Sequence, residues 1–329
     1  MSGRLPARAI ILLVTLAGLA TTVALLVHVG LGDVLGVVQR IGFAGFLGYV
    51  SITGGLLIVL GFAWLCVAPG TPARWFPAFF WGRTTREAAT DVLPFSQIGG
   101  IVVGARSLIA AGVPPTQVYA SLVADQTTEL AAQLVYTLYG VAALALLLSA
   151  GRGGDDLLVL SGVGAVASIA IMLAFTFLQR PLLQFAGRIG GAILPGSAAA
   201  LAGIGETLDV IYRQHGRVIA SFLLHLVAWV GSGAGAWVAL ALVGADIGIG
   251  KVIVIESLIF TLRTAAFVVP GGIGLQEGAY LLLAPLFGLP AEAALALSLL
   301  KRARDLAIGI PVMIAWSWGE GRSIAGNTG

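Results

Sequence analysis

Six stretches of this chain are apolar and long enough to cross a lipid bilayer, and nothing else in the sequence limits its fold as strongly. They cover 10–29, 43–68, 115–148, 157–177, 218–243 and 291–316, against the roughly 20 residues that a helix needs to span about 30 Å of hydrocarbon. No water reaches the bilayer interior to satisfy open N–H and C=O groups, so a crossing segment must satisfy them itself, as a helix does. Of the 329 residues, 58% are hydrophobic and only 10% charged, whereas soluble domains carry about 25% charged residues. Such a chain cannot cover itself with polar surface. The expectation is an all-α polytopic membrane protein, one integral membrane domain over 1–329.

Positive charge orients the spans, because Lys and Arg concentrate in cytoplasmic loops. The basic segments are the N-terminus (Arg4, Arg8), the region of Arg74, Arg83 and Arg86, and the region of Arg180, Arg188, Arg213 and Arg217. No cleavable signal is evident after Arg4 and Arg8, so the first run reads as an anchor with a cytoplasmic N-terminus. Two interrupted apolar stretches, 75–111 and 251–287, remain. Parity requires 75–111 to enter and leave on one side, as a re-entrant hairpin broken near Pro94. The second stretch breaks at Pro270-Gly271-Gly272-Ile273-Gly274. The fold expected is about six full transmembrane helices plus two re-entrant broken hairpins. Alternatively, 75–90 lies flat as an interfacial helix, its Trp and Phe residues in the headgroup layer, and 92–111 spans.

A weak internal repeat relates the two breaks. An offset of 176 carries Pro94 onto Pro270, Gly112 onto Gly288, Pro114 onto Pro290 and Glu129 onto Asp305. The first repeat covers 43–150 and the second 217–317. By parity their hairpins enter from opposite sides, an inverted repeat like those of many transporters. Pro94, Gly99 and Gly100, with Pro270, Gly271, Gly272 and Gly274, would supply broken-helix backbone, which a bilayer tolerates only where it is buried or lines a cavity.

Ionisable residues at membrane depth cost roughly 2.5–3.5 kcal/mol each and mark function by default. Here they are Arg106, Asp125, Glu129, Glu256, Arg263, Glu277, Lys301, Arg302, Arg304 and Asp305. They can pair with one another: Lys301 and Asp305 have i,i+4 spacing, and an arginine could neutralise each of Asp125 and Glu129. They can instead line a groove. Arg106, Arg263, Lys301, Arg302 and Arg304 suit a phosphate or another anion, which guanidinium groups bind bidentately. Asp125, Glu129, Glu277 and Asp305 suit a cation, a proton or water, with proton or ion coupling as one option. The sequence has no phosphate-binding G-x-x-x-x-G-K-[ST] loop and no H-E-x-x-H pair among His28, His215 and His225. A single cysteine, Cys66, rules out a multi-cysteine metal site. No cofactor, metal, nucleic-acid partner or enzymatic activity is expected, and the oligomeric state is left open.

The run Pro270-Gly271-Gly272-Ile273-Gly274-Leu275-Gln276-Glu277-Gly278, followed by Gly288-Leu289-Pro290 and Lys301-Arg302, resembles the lysylphosphatidylglycerol-synthase transmembrane-region family of flippase-like domain proteins. In the first half, Asp91-Val92-Leu93-Pro94-Phe95-Ser96-Gln97-Ile98-Gly99-Gly100, Gly104-Ala105-Arg106, and Asp125 with Glu129 and Gln133 look like its hopanoid-biosynthesis-associated membrane protein L branch. The resemblance implies a bacterial inner-membrane protein whose relatives move lipids between leaflets. The reading that follows is a lipid translocase with a midplane charged groove. A membrane-embedded lipid-modifying enzyme and a non-catalytic scaffold for lipid biosynthesis, hopanoid biosynthesis included, are the alternatives.

Overall fold

The computed structural model describes residues 31–92, 96–149, 166, 197–265 and 275–326, and the elements within them are helical. In chain order they are α1 (Leu31–Cys66), a 3-10 turn (Ala73–Trp75), α2 (Phe76–Val92), α3 (Ser96–Ala110), α4 (Pro115–Ser149), α5 (Ser197–Arg213), α6 (His215–Leu242), α7 (Ile249–Ala265), α8 (Leu275–Leu283), a second 3-10 turn (Ala284–Phe287) and α9 (Ala291–Gly326). Gly42, at φ 72° and ψ 160°, kinks α1.

Among the described residues three helices are long and apolar enough to cross a membrane: Gln39–Cys66, Pro115–Leu146 and His215–Leu242. The expectation of six full spans with two re-entrant hairpins is corrected accordingly. Stretches 10–29 and 157–177 lie outside the described residues. Stretch 291–316 is helical, within α9, but Lys301, Arg302, Arg304 and Asp305 fall in five consecutive positions at its middle and interrupt its apolar character. In place of the two interrupted stretches stand short helices. α2 and α3 have 17 and 15 residues, and α7 and α8 have 17 and 9. At about 1.5 Å per residue, even the longer ones fall short of about 30 Å of hydrocarbon.

α2 does not lie flat on a surface, because Phe79, Gly82, Arg83, Arg86 and Ala89 on it are buried. It packs along α3 with the backbones nearly touching. A Cβ placed on Gly100 would come within 2.1 Å of Thr90 Oγ1 and 2.6 Å of the Arg86 carbonyl oxygen, and one on Gly104 within 2.9 Å of Arg86 Cβ. Gly82 faces Leu108 in the same way. The pairings 90–100, 86–104 and 82–108 make the two helices antiparallel. Gly99 and Gly100 therefore lie inside helix α3 rather than at a break. Gly100 serves close approach, for which the absence of a side chain is required.

Burial on α6 divides by face. Ile219, Leu223, Val227 and Val230 are exposed, while Ser221, His225, Ala228 and Gly235 are buried, the three- and four-residue steps of an amphipathic helix. The apolar face suits lipid, and the inner one carries the histidine toward α4. The first core surrounds Trp64, Phe79, Leu108, Val118 and Leu208, the second Leu240, Ile255, Tyr280 and Leu297. Two turns match locally. Gly112 (φ 96°) and Gly288 (φ 82°) follow helices whose ends are closed by Val113 N–H to the Leu108 carbonyl and Leu289 N–H to the Ala284 carbonyl, both at 3.1 Å. Each turn precedes a proline, Pro114 or Pro290, at the start of the next helix.

Candidate functional site

A buried ionic network joins α2, α4 and α6. Counting about 1.5 Å per residue, Asp125 and Glu129 lie about 15 and 21 Å into α4, and His225 lies about 15 Å into α6. α2 brings Arg83, Arg86 and Glu87 against them. Arg83 donates from Nη1 to Asp125 Oδ2 at 3.2 Å and from Nη2 to Glu129 Oε1 at 2.7 Å. Arg86 donates from Nη1 to Asp125 Oδ2 at 2.8 Å and from Nη2 to Glu129 Oε2 at 2.6 Å. Each arginine thus bridges both acids, the planar two-point geometry that a guanidinium supplies and an ammonium cannot. Glu87 joins at the edge, 2.8 Å from Arg83 Nη2 and with its side chain 34% exposed. His225 Nε2 lies 2.9 Å from Asp125 Oδ1.

Helical spacing makes this arrangement possible. Asp125 and Glu129 are one turn apart on α4, and Arg83 and Arg86 are three apart on α2, so each pair shares a face. Arg83, Arg86, Asp125 and His225 are all buried. Charges so placed persist only when they are paired and hydrogen-bonded. Asp125, Glu129 and His225 bring ligand atoms within 4.8 Å of one another, and the guanidinium groups bond Asp125 Oδ2 and both oxygens of Glu129. Both acids thus serve as counter-ions to the arginines.

A second network joins α7, α8 and α9. Lys301 Nζ donates to Glu256 Oε2 at 2.5 Å and to the Tyr280 hydroxyl at 3.0 Å, and that hydroxyl donates to Glu256 Oε1. Gln276 and Glu277 on α8 meet Ser298 on α9, at 3.0 and 3.2 Å, and Arg302 lies 3.4 Å from Glu277. The Pro-Gly-Glu run therefore joins its glutamate to the helix that carries Lys301. α4 packs on α7 where Gly140 faces Ser257, about 16 Å along α4 from Glu129 by helix rise. A third contact joins α9 to α1: Arg304 bonds its neighbour Asp305 at 2.6 Å and the Tyr49 hydroxyl at 3.1 Å.

The expected site residues thus fall into separate groups. Asp125 and Glu129 share the first network, Glu277, Lys301 and Arg302 the second, and Arg304 and Asp305 the third. Lys301 bonds Glu256, and Asp305 bonds Arg304. Arg106 is exposed on α3. Arg263 falls in the last turn of α7, with its side chain outside the described residues, and Pro94, Pro270, Gly271, Gly272 and Gly274 also lie outside them. Sequence reasoning assigned Arg83 and Arg86 to a cytoplasmic loop, whereas the structure buries them against Asp125 and Glu129. It also passed over His225, Tyr280 and Ser298. The signal for the arginines was their spacing from Phe79, Gly82 and Ala89 on one helix face. For His225 it was the face opposite Ile219, Leu223 and Val227.

The sequence pattern of the family described as "Lysylphosphatidylglycerol synthase TM region" matches residues 9–312. No curated protein and no solved structure matches at a significant level. With nearly its whole length inside that pattern, the chain belongs to the lysylphosphatidylglycerol synthase transmembrane-region family, a multi-pass membrane protein with a buried charged cluster.

Proposed function

We propose that this protein is a lipid translocase: a polar headgroup crosses between leaflets along the charged network while the acyl tails stay in hydrocarbon. The observation that carries this reading is the buried bridge of Arg83 and Arg86, on the short helix α2, to Asp125 and Glu129 within the membrane-spanning helix α4. Arginines at that depth provide the donors that a phosphate loses on leaving water, and bidentate geometry favours its oxygens. Glu129, 14% exposed at its side chain, and Glu87 form the accessible edge of the network. Lys301, Arg302 and Glu277 would extend the polar path through α8 and α9. Arg106, Arg263, Arg304 and Asp305 would contribute at its ends. No covalent chemistry is assigned to these groups.

The reading places the chain in the bacterial inner membrane with a cytoplasmic N-terminus, following the basic residues Arg4 and Arg8. A place in hopanoid metabolism is supported by the Asp91–Gly100 resemblance. The segments 43–150 and 217–317 are read as related halves, supported by the matched turns at Gly112 and Gly288.

The test uses purified protein in vesicles of phosphatidylcholine and phosphatidylglycerol carrying headgroup-labelled lipids. A membrane-impermeant quencher follows exchange between leaflets. Protein should accelerate exchange of at least one lipid, and Arg86→Met should slow it at least tenfold. Exchange equal to that of empty vesicles across a panel of anionic, zwitterionic and neutral lipids refutes the reading. A chemically altered lipid recovered from the same vesicles would point to an enzyme.

A further inference from the structure

We propose that His225 is a proton-binding residue, and that a proton and an anionic phosphate group enter the first network together. This rests on the translocation reading and names a ligand for the same site.

The first argument is charge. Arg83 and Arg86 contribute two positive charges to the network; Glu87, Asp125 and Glu129 contribute three negative ones. With His225 neutral the sum is minus one. The buried members Arg83, Arg86, Asp125 and Glu129 balance one another, and the extra charge is Glu87 at the edge; a phosphate therefore meets no net attraction inside and repulsion at the entrance. Protonating His225 brings the sum to zero. Protonating Glu87, Asp125 or Glu129 would remove a negative charge that an arginine faces within 3.2 Å, whereas the neutral imidazole takes a proton without removing any.

The second argument is hydrogen bonding. Asp125 Oδ2 accepts from both arginines, and Oδ1 lies 2.9 Å from His225 Nε2. An ionised carboxylate only accepts, so Nε2 carries the hydrogen. The other ring nitrogen, Nδ1, is buried and has no partner among the described residues. Buried polar atoms without partners are rare, and each calls for an explanation. Nδ1 is therefore the open protonation position, on a ring that the aspartate holds in one tautomer and that is ready to become imidazolium beside it.

The surroundings leave this role to His225. α1 presents no charged residue over 43–66, only Tyr49 and Cys66 as titratable groups. α4 presents Asp125, Glu129 and Tyr136, whose ring stacks on Trp229 of α6 and whose hydroxyl donates to the Ile253 carbonyl, and through the acids come Arg83, Arg86 and Glu87 of α2. α5 carries Asp209 and Tyr212, the latter bonded to Thr127 of α4 at 3.1 Å. α7 carries Glu256, already held by Lys301 and Tyr280, and Arg263. α9 carries the Arg304–Asp305 pair. Among the described residues, Asp125 alone bonds the ring.

When a phosphate draws Arg83 and Arg86 away from the acids, Asp125 loses its guanidinium partners and the adjoining imidazole gains affinity for a proton. By linkage the proton raises affinity for the phosphate by the same factor. A proton gradient could then drive the headgroup, because the two move as one electroneutral load.

Proton binding is measured without any transport. In a His28→Gln/His215→Gln background the only histidine is His225, and its imidazole signals are followed by NMR against pH in lipid nanodiscs. Adding short-chain phosphatidylglycerol should raise the midpoint by about one pH unit, tenfold in proton affinity, and short-chain diacylglycerol should leave it in place. In weakly buffered solution the same anionic lipid should draw protons from solution, and His225→Gln should abolish that uptake. The proposal is overturned if His225 does not titrate, if its midpoint is the same with either lipid, or if His225→Gln takes up protons as the parent does. Vesicles that exchange no lipid would refute translocation yet leave the midpoint shift standing, so the two failures are separable.

Discussion

Breaking the Arg86–Asp125 contact should destabilise the protein more than any surface change, and restoring charge balance should recover much of the loss. Arg86 Nη1 stands 2.8 Å from Asp125 Oδ2, with the residues 4% and 0% exposed. At that separation and an effective dielectric of about 20, the gross attraction is roughly 6 kcal/mol. Desolvation opposes most of it, so removing the pair as a unit is expected to be mild. Removing one partner is different, since it leaves a buried charge uncompensated, at about 3–5 kcal/mol. Asp125→Asn keeps the shape but leaves Arg83 and Arg86 sharing Glu129 and Glu87. Arg86→Met keeps the stem but leaves Asp125 with Arg83 and His225. A double-mutant cycle followed by denaturant titration in detergent measures the coupling directly. We expect each single variant to lose about 3 kcal/mol or more and the double variant to be at least 2 kcal/mol more stable than the sum of the two losses. Additivity within about 0.5 kcal/mol would refute the bridge, whatever the size of the single effects.

The second network makes a parallel prediction. Lys301→Met leaves Glu256 buried with, among the described residues, the Tyr280 hydroxyl as its one partner, so it should destabilise by about 3–5 kcal/mol, and adding Glu256→Gln should recover more than half of this in the same titration. At the α2–α3 contact, Gly100→Val meets Thr90 and the Arg86 backbone. It should cost about 1–3 kcal/mol as overpacking and slow lipid exchange through displacement of Arg86, whereas Gly205→Ala, with nothing within 4 Å of the added carbon, should leave stability and exchange as they are. Asp305→Asn should leave the Lys301 contacts untouched, because Asp305 serves Arg304; loss of the Lys301–Glu256 pair in that variant, read by a fall in stability as large as that of Lys301→Met, would contradict the assignment.

What the sequence disclosed and what it concealed follow from one physical difference. The three spanning helices were legible because length and apolarity are additive along a chain: each residue of Gln39–Cys66 or His215–Leu242 adds to the same signal. The acids on α4 were legible as well, since Asp125 and Glu129 share a face by spacing alone and no lipid-facing position would hold both. Their partners were not. Charge bias treats an arginine as a solvent-seeking residue that marks a loop, and it assigned Arg83 and Arg86 to the cytoplasm. Whether an arginine is in solvent or buried depends on a carboxylate elsewhere in the chain, here 39 positions away from Arg86, and no local window contains that information. The reading of six spans plus two hairpins failed because it counted apolar length without the charges set within it: among the described residues three helices are long and apolar enough to cross. His225 was concealed by the same dependence, since a lone histidine on an apolar helix has no meaning until Asp125 is placed 2.9 Å from it. In a chain with so few charges, each one is therefore better read by the partner it must find than by the side of the membrane it marks.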